Sequence, residues 1–212
     1  TLIGQGCHRL SEIAARLGKP ATSLSRPLQR LVELELVRRD IPFDAAPRDN
    51  KRSLYRIDDP FLRFWFRFVD SNRSRLEARR LASVTREIRA TFSSHVAGVW
   101  EDLVRQSVPR HRWFDRDWKP AASFWGTGLD RRPLEIDVVA ESEDGGELLV
   151  GEVKWTNLKN AVEVAATLRA RAAQLPFAVG KRVHLGIWAK EAPGRLDGVQ
   201  GFGAKEVVRV LR

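Results

Sequence analysis

In the second half of the chain, three charged residues interrupt stretches that are otherwise apolar: Asp137 in LEIDVVA, and Glu152 and Lys154 in GEVKW. An ionised carboxylate inside an apolar strand is costly unless it is paired or bound to a metal. If both segments are strands, Glu152 and Lys154 point to one side of the sheet while Val153 and Trp155 point to the other. Pairing the strands through a hairpin would then bring the three groups to one edge. Two carboxylates with a backbone carbonyl form the hard oxygen site that Mg²⁺ or Mn²⁺ prefers. A lysine beside a phosphate orients or helps deprotonate an attacking water and offsets charge developing on phosphorus. Glu101, in GVWEDLVR, would supply a further carboxylate to the metal or its waters. The chemistry indicated is metal-dependent hydrolysis of a phosphodiester. Each member also has an ordinary reading: Glu101 stands four residues before Arg105, as in a helical ion pair, and Glu-x-Lys on a strand is often a solvated cross-strand pair. The set in this order carries more than its members do singly.

Composition is compatible with that chemistry. The chain has 212 residues, enough for one large domain or two small ones, and 37 Lys and Arg against 27 Asp and Glu give a net charge of +10 and a pI near 10.6. Such a balance favours polyanionic partners through counterion release, although ribosome-associated and anionic-lipid-binding proteins share it. The single cysteine, Cys7, excludes an internal disulfide, and no signal segment or long uncharged apolar run is present, so a cytoplasmic protein with no membrane partner is expected. The sequence starts at Thr1 and contains no methionine, which leads us to expect a piece of a longer chain.

The elements that would position these groups follow from patterning. Residues 1–58 read as a winged helix-turn-helix. Ser11 is expected to cap a helix over SEIAARLG that Gly18 and Pro20 end. A second helix after Thr22 and Ser23 carries Leu24, Leu28, Leu31 and Leu34 on one stripe, with Pro27 tolerable only near its start. VRRDIPF and KRSLYRI alternate as two wing strands around DAAPRDN. A recognition helix presents its N-terminal residues to the major groove, which makes Ser23, Ser25, Arg26, Gln29 and Arg30 the DNA-contact candidates, with Arg48, Lys51 and Arg52 on the wing. Winged helices also serve as protein-interaction modules.

Residues 59–90 read as a helical connector, with Asp59 as N-cap and Pro60 at the first helical position. Phe61, Phe64, Trp65 and Phe68 share a helical face, a spacing that predicts core in preference to base stacking. Residues 91–212 follow as an αβββαβ mixed sheet with helices packed on it. The first helix carries Phe92, Val96, Val99 and Leu103; AASFWGTG, LEIDVVA and ELLVGEVKW are strands; NLKNAVEVAATLRARAAQL is a helix; VHLGIWA and KEVVRVL are the last two strands.

IDDPFLRFWFRFV after a winged helix, then GVWEDLVR, LEIDVVA and GEVKW, resembles the domain-of-unknown-function family at the C-terminus of prokaryotic AAA-type ATPases related to the archaeal ATPases. The resemblance covers nearly the whole chain. It implies a restriction-endonuclease-like, PD-(D/E)XK nuclease-like fold for the last part and an ATP-binding module before Thr1. It also implies roles: Glu101 the helix glutamate, Asp137 the metal aspartate, Glu152 the second metal carboxylate, Lys154 the catalytic lysine, with Mg²⁺ or Mn²⁺ as cofactor. Trp100 stands where Phe is expected in the first motif. The chain has no G-x-x-x-x-G-K-[ST], so ATP is expected only in the preceding module. The expected function is the DNA-binding and nuclease-like module of a larger prokaryotic ATPase, with DNA and its own ATPase module as partners. The alternative is a non-catalytic DNA-binding or protein-interaction regulatory module, since a fold does not fix an activity.

Overall fold

A computed structural model describes residues 1–46, 49 and 51–212. They form two compact units, Thr1–Ile41 with Ala45–Phe92, and Pro42–Asp44 with Ser93–Arg212.

The first unit begins with helix α1, Leu10–Leu17. Its N-cap is Arg9 and not the expected Ser11, because the Glu12 carboxylate accepts the Arg9 N–H at 3.2 Å and starts the helix one residue before Ser11. Gly18 ends α1 in the left-handed region at φ 61. A 3₁₀ turn over Ala21–Leu24 leads into helix α2, Ser25–Glu33, so Pro27 falls in the first turn, where its missing N–H costs no helical bond. Leu24 and Leu28 are buried on this stripe, but Leu34 lies past the helix end and is 56% exposed. Strands β1, Val37–Asp40, and β2, Leu54–Ile57, pair antiparallel from Val37↔Ile57 to Asp40↔Leu54. That register sets Arg38 opposite Arg56, and the Asp40 carboxylate joins both, at 2.9 and 3.1 Å. Ile3, Ile13, Ala14, Leu24, Leu28, Val37 and Tyr55 close a core beneath helices and hairpin.

Asp59 caps helix α3, Pro60–Phe64, accepting from Leu62 N–H at 2.7 Å. The aromatic face that follows departs from expectation: Phe68 is buried, but Phe61 is 65% exposed. The reason is a π turn over Trp65–Val69, which widens the helix and voids the 3.6-residue spacing on which a single face depended. Buried Asn72 then donates to the Phe68 carbonyl at 3.0 Å and, with Arg75, engages Glu87. Helix α4 covers Arg73–Glu77, and helix α5 runs unbroken over Leu81–Ser107, through the point at which the sequence suggested a connector ending at Ala90.

In the second unit the buried apolar residues of α5 are Trp100 and Val104, four apart, followed by buried Val108 in the 3₁₀ turn that continues from the helix. They replace the expected Phe92, Val96, Val99 and Leu103 stripe, of which Phe92 is 46% exposed. Strands β3, Ala122–Thr127, β4, Pro133–Glu141, and β5, Glu147–Lys154, form an antiparallel meander. Helix α6, Ala161–Ala172, crosses to β6, Arg182–Ala189, which pairs parallel with β5. A hairpin of β7, Arg195–Leu196, and β8, Val199–Gly203, completes a mixed six-stranded sheet in the order β3-β4-β5-β6-β8-β7. The segment KEVVRVL is not a strand: it lies in helix α7, Ala204–Leu211. Glu206 accepts the Gly203 N–H at 2.6 Å to start the helix, and Val207, Val210 and Leu211 take the 3-and-4 spacing of a helical face.

The sheet buries both faces. Phe124, Ile136, Leu148, Val150 and Ile187 pack under α6, which contributes Leu168; Trp100, Val104, Val138, Leu149, Trp188 and Val207 pack on the opposite face. Trp188 lies flat across two glycines, and a Cβ added at Gly151 or Gly186 would meet its ring at 2.4 or 2.7 Å. Among the described residues, no helix is long and apolar enough to cross a membrane.

Candidate functional site

Asp137 owes its position to a fault in the sheet. Between the pairs Phe124↔Ile136 and Ala122↔Val139, β4 places two residues, Asp137 and Val138, opposite the single Ser123 of β3. Such a β-bulge bends its strand and re-aims a side chain. The β4–β5 ladder ends at Val138↔Gly151, whereas β5 continues beside β6 as far as Lys154↔Ala189. The Val153 N–H, left without a backbone acceptor from β4, donates to Asp137 Oδ2 at 2.8 Å. The aspartate thus sits in the notch where the two strands part.

Glu152 reaches the same notch. Leu148 and Val150 belong to the core under α6, so the alternation of β5 carries Glu152 to that face, where it is 7% exposed. Its carboxylate meets Lys154 Nζ at 2.5 Å on Oε1 and Arg171 Nη1 of α6 at 3.4 Å on Oε2. Burial pushes the Asp137 carboxyl above the ordinary aspartate range, and the neighbouring Glu152 charge pushes it the same way; the Val153 N–H, Lys154 and Arg105 oppose the rise. Lys154 is held above the ordinary lysine range: its burial acts downward, but the hydrogen bond and charge of Glu152, with the charge of Asp137, outweigh that. At neutral pH Lys154 is therefore an ammonium, a donor and not a base.

The structure brings Asp137, Glu152 and Lys154 together. Glu101 stands one step away, its carboxylate 3.9 Å from Arg105 of the same helix. Arg105 also holds Asp102 at 2.6 Å and donates to the Asp137 backbone carbonyl at 2.8 Å, tying α5 to the bulged strand. Among the described residues no three His, Cys, Asp or Glu side chains gather into a metal-binding group. The donor set in the notch is thus two carboxylates, all oxygen, whose mutual repulsion a hard divalent cation would relieve, and in that respect it fits Mg²⁺ or Mn²⁺. Sequence reasoning missed Arg105 and Arg171. Arg105 was visible as a helical partner of Glu101. Arg171 carried a weaker signal, an arginine three residues after buried Leu168, at the margin of the apolar stripe of α6.

On the first unit, Ser23, Ser25, Arg26, Gln29 and Arg30 are all exposed along the turn and the start of α2. The Ser23 hydroxyl donates to the Pro20 carbonyl at 2.7 Å, and Gln29 donates to Glu33 at 3.0 Å. On the wing, Asp49 accepts the Lys51 and Arg52 N–H groups at 2.9 and 3.1 Å and pairs with the Arg52 guanidinium at 2.8 Å. Arg52 is thereby partly neutralised, while the Lys51 side chain projects from an exposed position. Arg48 lies outside the described residues.

Comparison with known proteins matches the same two regions. Residues 4–40 match the IclR helix-turn-helix domain, so a helix-turn-helix, a DNA-binding motif, is present. Residues 65–165, a span that includes Glu101, Asp137, Glu152 and Lys154, match a family described as archaeal and bacterial proteins of unknown function. An uncharacterized protein of Methanocaldococcus jannaschii is 27% identical over 161 residues, covering 74% of this chain and 35% of that protein. The chain therefore spans about a third of the length of that relative. No solved structure matches it.

Proposed function

We propose that the chain is a DNA-processing module of the restriction-endonuclease-like, PD-(D/E)XK type: the winged helix-turn-helix holds duplex DNA, and the notch between β4 and β5 hydrolyses a phosphodiester. The observation that carries this reading is the convergence of Asp137, Glu152 and Lys154 where a bulge parts two strands.

Asp137 and Glu152 would hold Mg²⁺ or Mn²⁺, with Glu101 acting on its bound waters. When bound, the cation would polarise the phosphoryl oxygen and lower the pKa of water. The chain's own residues do the rest. The Val153 N–H fixes the Asp137 carboxylate, and Arg105 fixes the strand that bears it. Lys154, an ammonium, donates to a phosphate oxygen or to the attacking water and offsets charge developing on phosphorus. Ser23, Ser25, Arg26, Gln29, Arg30 and Lys51, with Arg48 and Arg52, supply base and phosphate contacts. An intracellular setting follows from a DNA substrate. The greater length of the archaeal relative leaves room for the ATPase module that the resemblance implies, and the present chain would be its effector portion.

A second reading has its own support. Both Glu152 oxygens are already taken by Lys154 and Arg171, as they would be in a structural ion-pair network in a module that binds DNA without cutting it. Titration of the chain with Mn²⁺ by calorimetry, with labelled duplex and single-stranded DNA incubated in parallel, separates the two. The nuclease reading expects Mn²⁺ binding and Mn²⁺-dependent cutting, both lost in Asp137→Ala and Glu152→Ala. A wild-type chain that binds duplex but neither Mn²⁺ nor Mg²⁺, even with DNA present, would leave the non-catalytic module standing.

A further inference from the structure

The carboxylate of Glu152 is almost hidden, its side chain 9% exposed, whereas the Lys154 and Arg171 side chains paired with it are 42% and 44% exposed. Of the three groups, the two cations are the ones that solvent reaches. With Asp137, Glu152, Lys154 and Arg171 all ionised, the charges of these four groups sum to zero. A divalent cation held by the two carboxylates would change this balance by two units and would compete with Lys154 and Arg171 for the Glu152 oxygens. Lys154 belongs to the site already described. Arg171 does not: it comes from α6 and has no part in the carboxylate and lysine pattern.

We propose that Arg171 is a phosphate-binding residue held in reserve on Glu152: occupation of Asp137 and Glu152 by a divalent cation releases it, and its guanidinium then binds the phosphodiester beside Lys154. The inference rests on the nuclease reading above. A guanidinium suits the task because its planar fork matches two phosphate oxygens, as an ammonium cannot. The same side chain thus opposes the metal when DNA is absent and assists DNA when the metal is present, and a merely structural ion pair would not produce these opposite signs.

The test measures the two bindings separately in the full chain. Free Mn²⁺ is titrated by electron paramagnetic resonance without DNA, and labelled duplex by fluorescence anisotropy with and without Ca²⁺, in wild type, Arg171→Ala and Arg171→Lys. For Arg171→Ala, Mn²⁺ should bind about 2- to 5-fold tighter, the scale of a half-exposed ion pair. The gain in duplex affinity on adding Ca²⁺ should fall by about 10-fold, the scale of a charge-assisted contact. Arg171→Lys should keep normal Mn²⁺ affinity and recover only part of the Ca²⁺ gain. If wild type binds Mn²⁺ and cuts DNA while Arg171→Ala changes neither affinity, Arg171 is a surface ion pair and the proposal fails. It also fails if both affinities drop together in Arg171→Ala and Arg171→Lys with a lowered melting temperature, which marks a structural role. A wild-type chain that binds neither Mn²⁺ nor Mg²⁺, even with DNA present, overturns the nuclease reading, and this inference with it.

Discussion

In the first unit the side chains proposed to contact DNA stand on the outside of a small apolar core, and removing any one of them should leave that core intact. In the second, the charged groups are set into the sheet itself, where Asp137 takes a backbone N–H that β4 has given up and Glu152 lies under two cations. A surface contact can change without cost to the fold, but a buried charge must have its partners or be neutralised. Substitutions in the first unit should therefore alter affinity alone, whereas those in the second should alter chemistry and stability in directions that depend on what each side chain touches.

The largest expected effect is on chemistry. Lys154→Ala should lower Mn²⁺-dependent cleavage by about 10²- to 10³-fold, the scale of one electrostatic group aimed at the transition state, with little change in duplex affinity. Quenched-flow or gel assays check the rate and anisotropy the affinity; an equal loss of both would place Lys154 in general DNA binding and blur the division between the units.

Next is the sheet beneath the site. Gly151→Ala should destabilise the second unit by about 1–3 kcal/mol, because its new methyl would have to displace the Trp188 ring. Denaturant unfolding followed by tryptophan fluorescence measures the loss. An unchanged midpoint would mean that Trp188 can move aside and that the sheet tolerates more than its packing suggests.

Two carboxylates of the same strand should then show opposite pH signatures in the absence of divalent cations. Asp137 has a raised folded pKa, so the native state binds more protons than the unfolded one just above the ordinary aspartate range. Its favourable contribution is present at acid pH and lost as pH rises through the folded value. Glu141 has a lowered folded pKa, owing to its hydrogen bonds with Lys119 and then Lys181, so its contribution is present at neutral pH and lost as pH falls through that value. With EDTA present, Asp137→Asn, which keeps an acceptor for Val153, should gain about 0.5–2 kcal/mol at pH 7, as relief of strain at functional sites commonly does. Glu141→Gln should lose up to about 1 kcal/mol at pH 7 and progressively less as pH falls through the lowered Glu141 value. Unfolding midpoints across that range test the signs, and a loss in both variants at pH 7 would make Asp137 a structural hydrogen-bond acceptor.

The smallest effect belongs to the first unit. Arg26→Ala and Arg30→Ala should each reduce the slope of log affinity against log salt by about 1 while leaving the unfolding midpoint unchanged. An unchanged slope would point to a protein partner for this helix-turn-helix.

Much of this was legible in order along the chain. Asp59 and Pro60 announced a helix start, Gly18 a helix stop, and apolar runs interrupted by Asp137 and Glu152 marked two strands. These signals are local: a cap, a stop or a strand period is decided by neighbours a few residues away. Where a local pattern had two outcomes, context decided. KEVVRVL is rich in β-branched valine, as strands are, but it also carries a 3-and-4 face, and the Glu206 cap on Gly203 made it a helix. The π turn at Trp65–Val69 likewise defeated a face counted at 3.6 residues.

The site itself depended on tertiary structure. Sequence alone determined which residue types were present, that Glu152 and Lys154 share a side of their strand, and that the start of the second helix is polar and basic. Strict alternation from Leu134 and Ile136, both in the core under α6, would have sent Asp137 to the opposite face from Glu152. Only the bulge opposite Ser123 re-aims it into the notch with the Val153 N–H. Arg171 reaches Glu152 because α6 folds back over β5, a contact between residues 19 apart that no local spacing encodes. Periodicity reports which way a side chain leaves its own strand or helix; which groups meet is settled by how strands part and helices return.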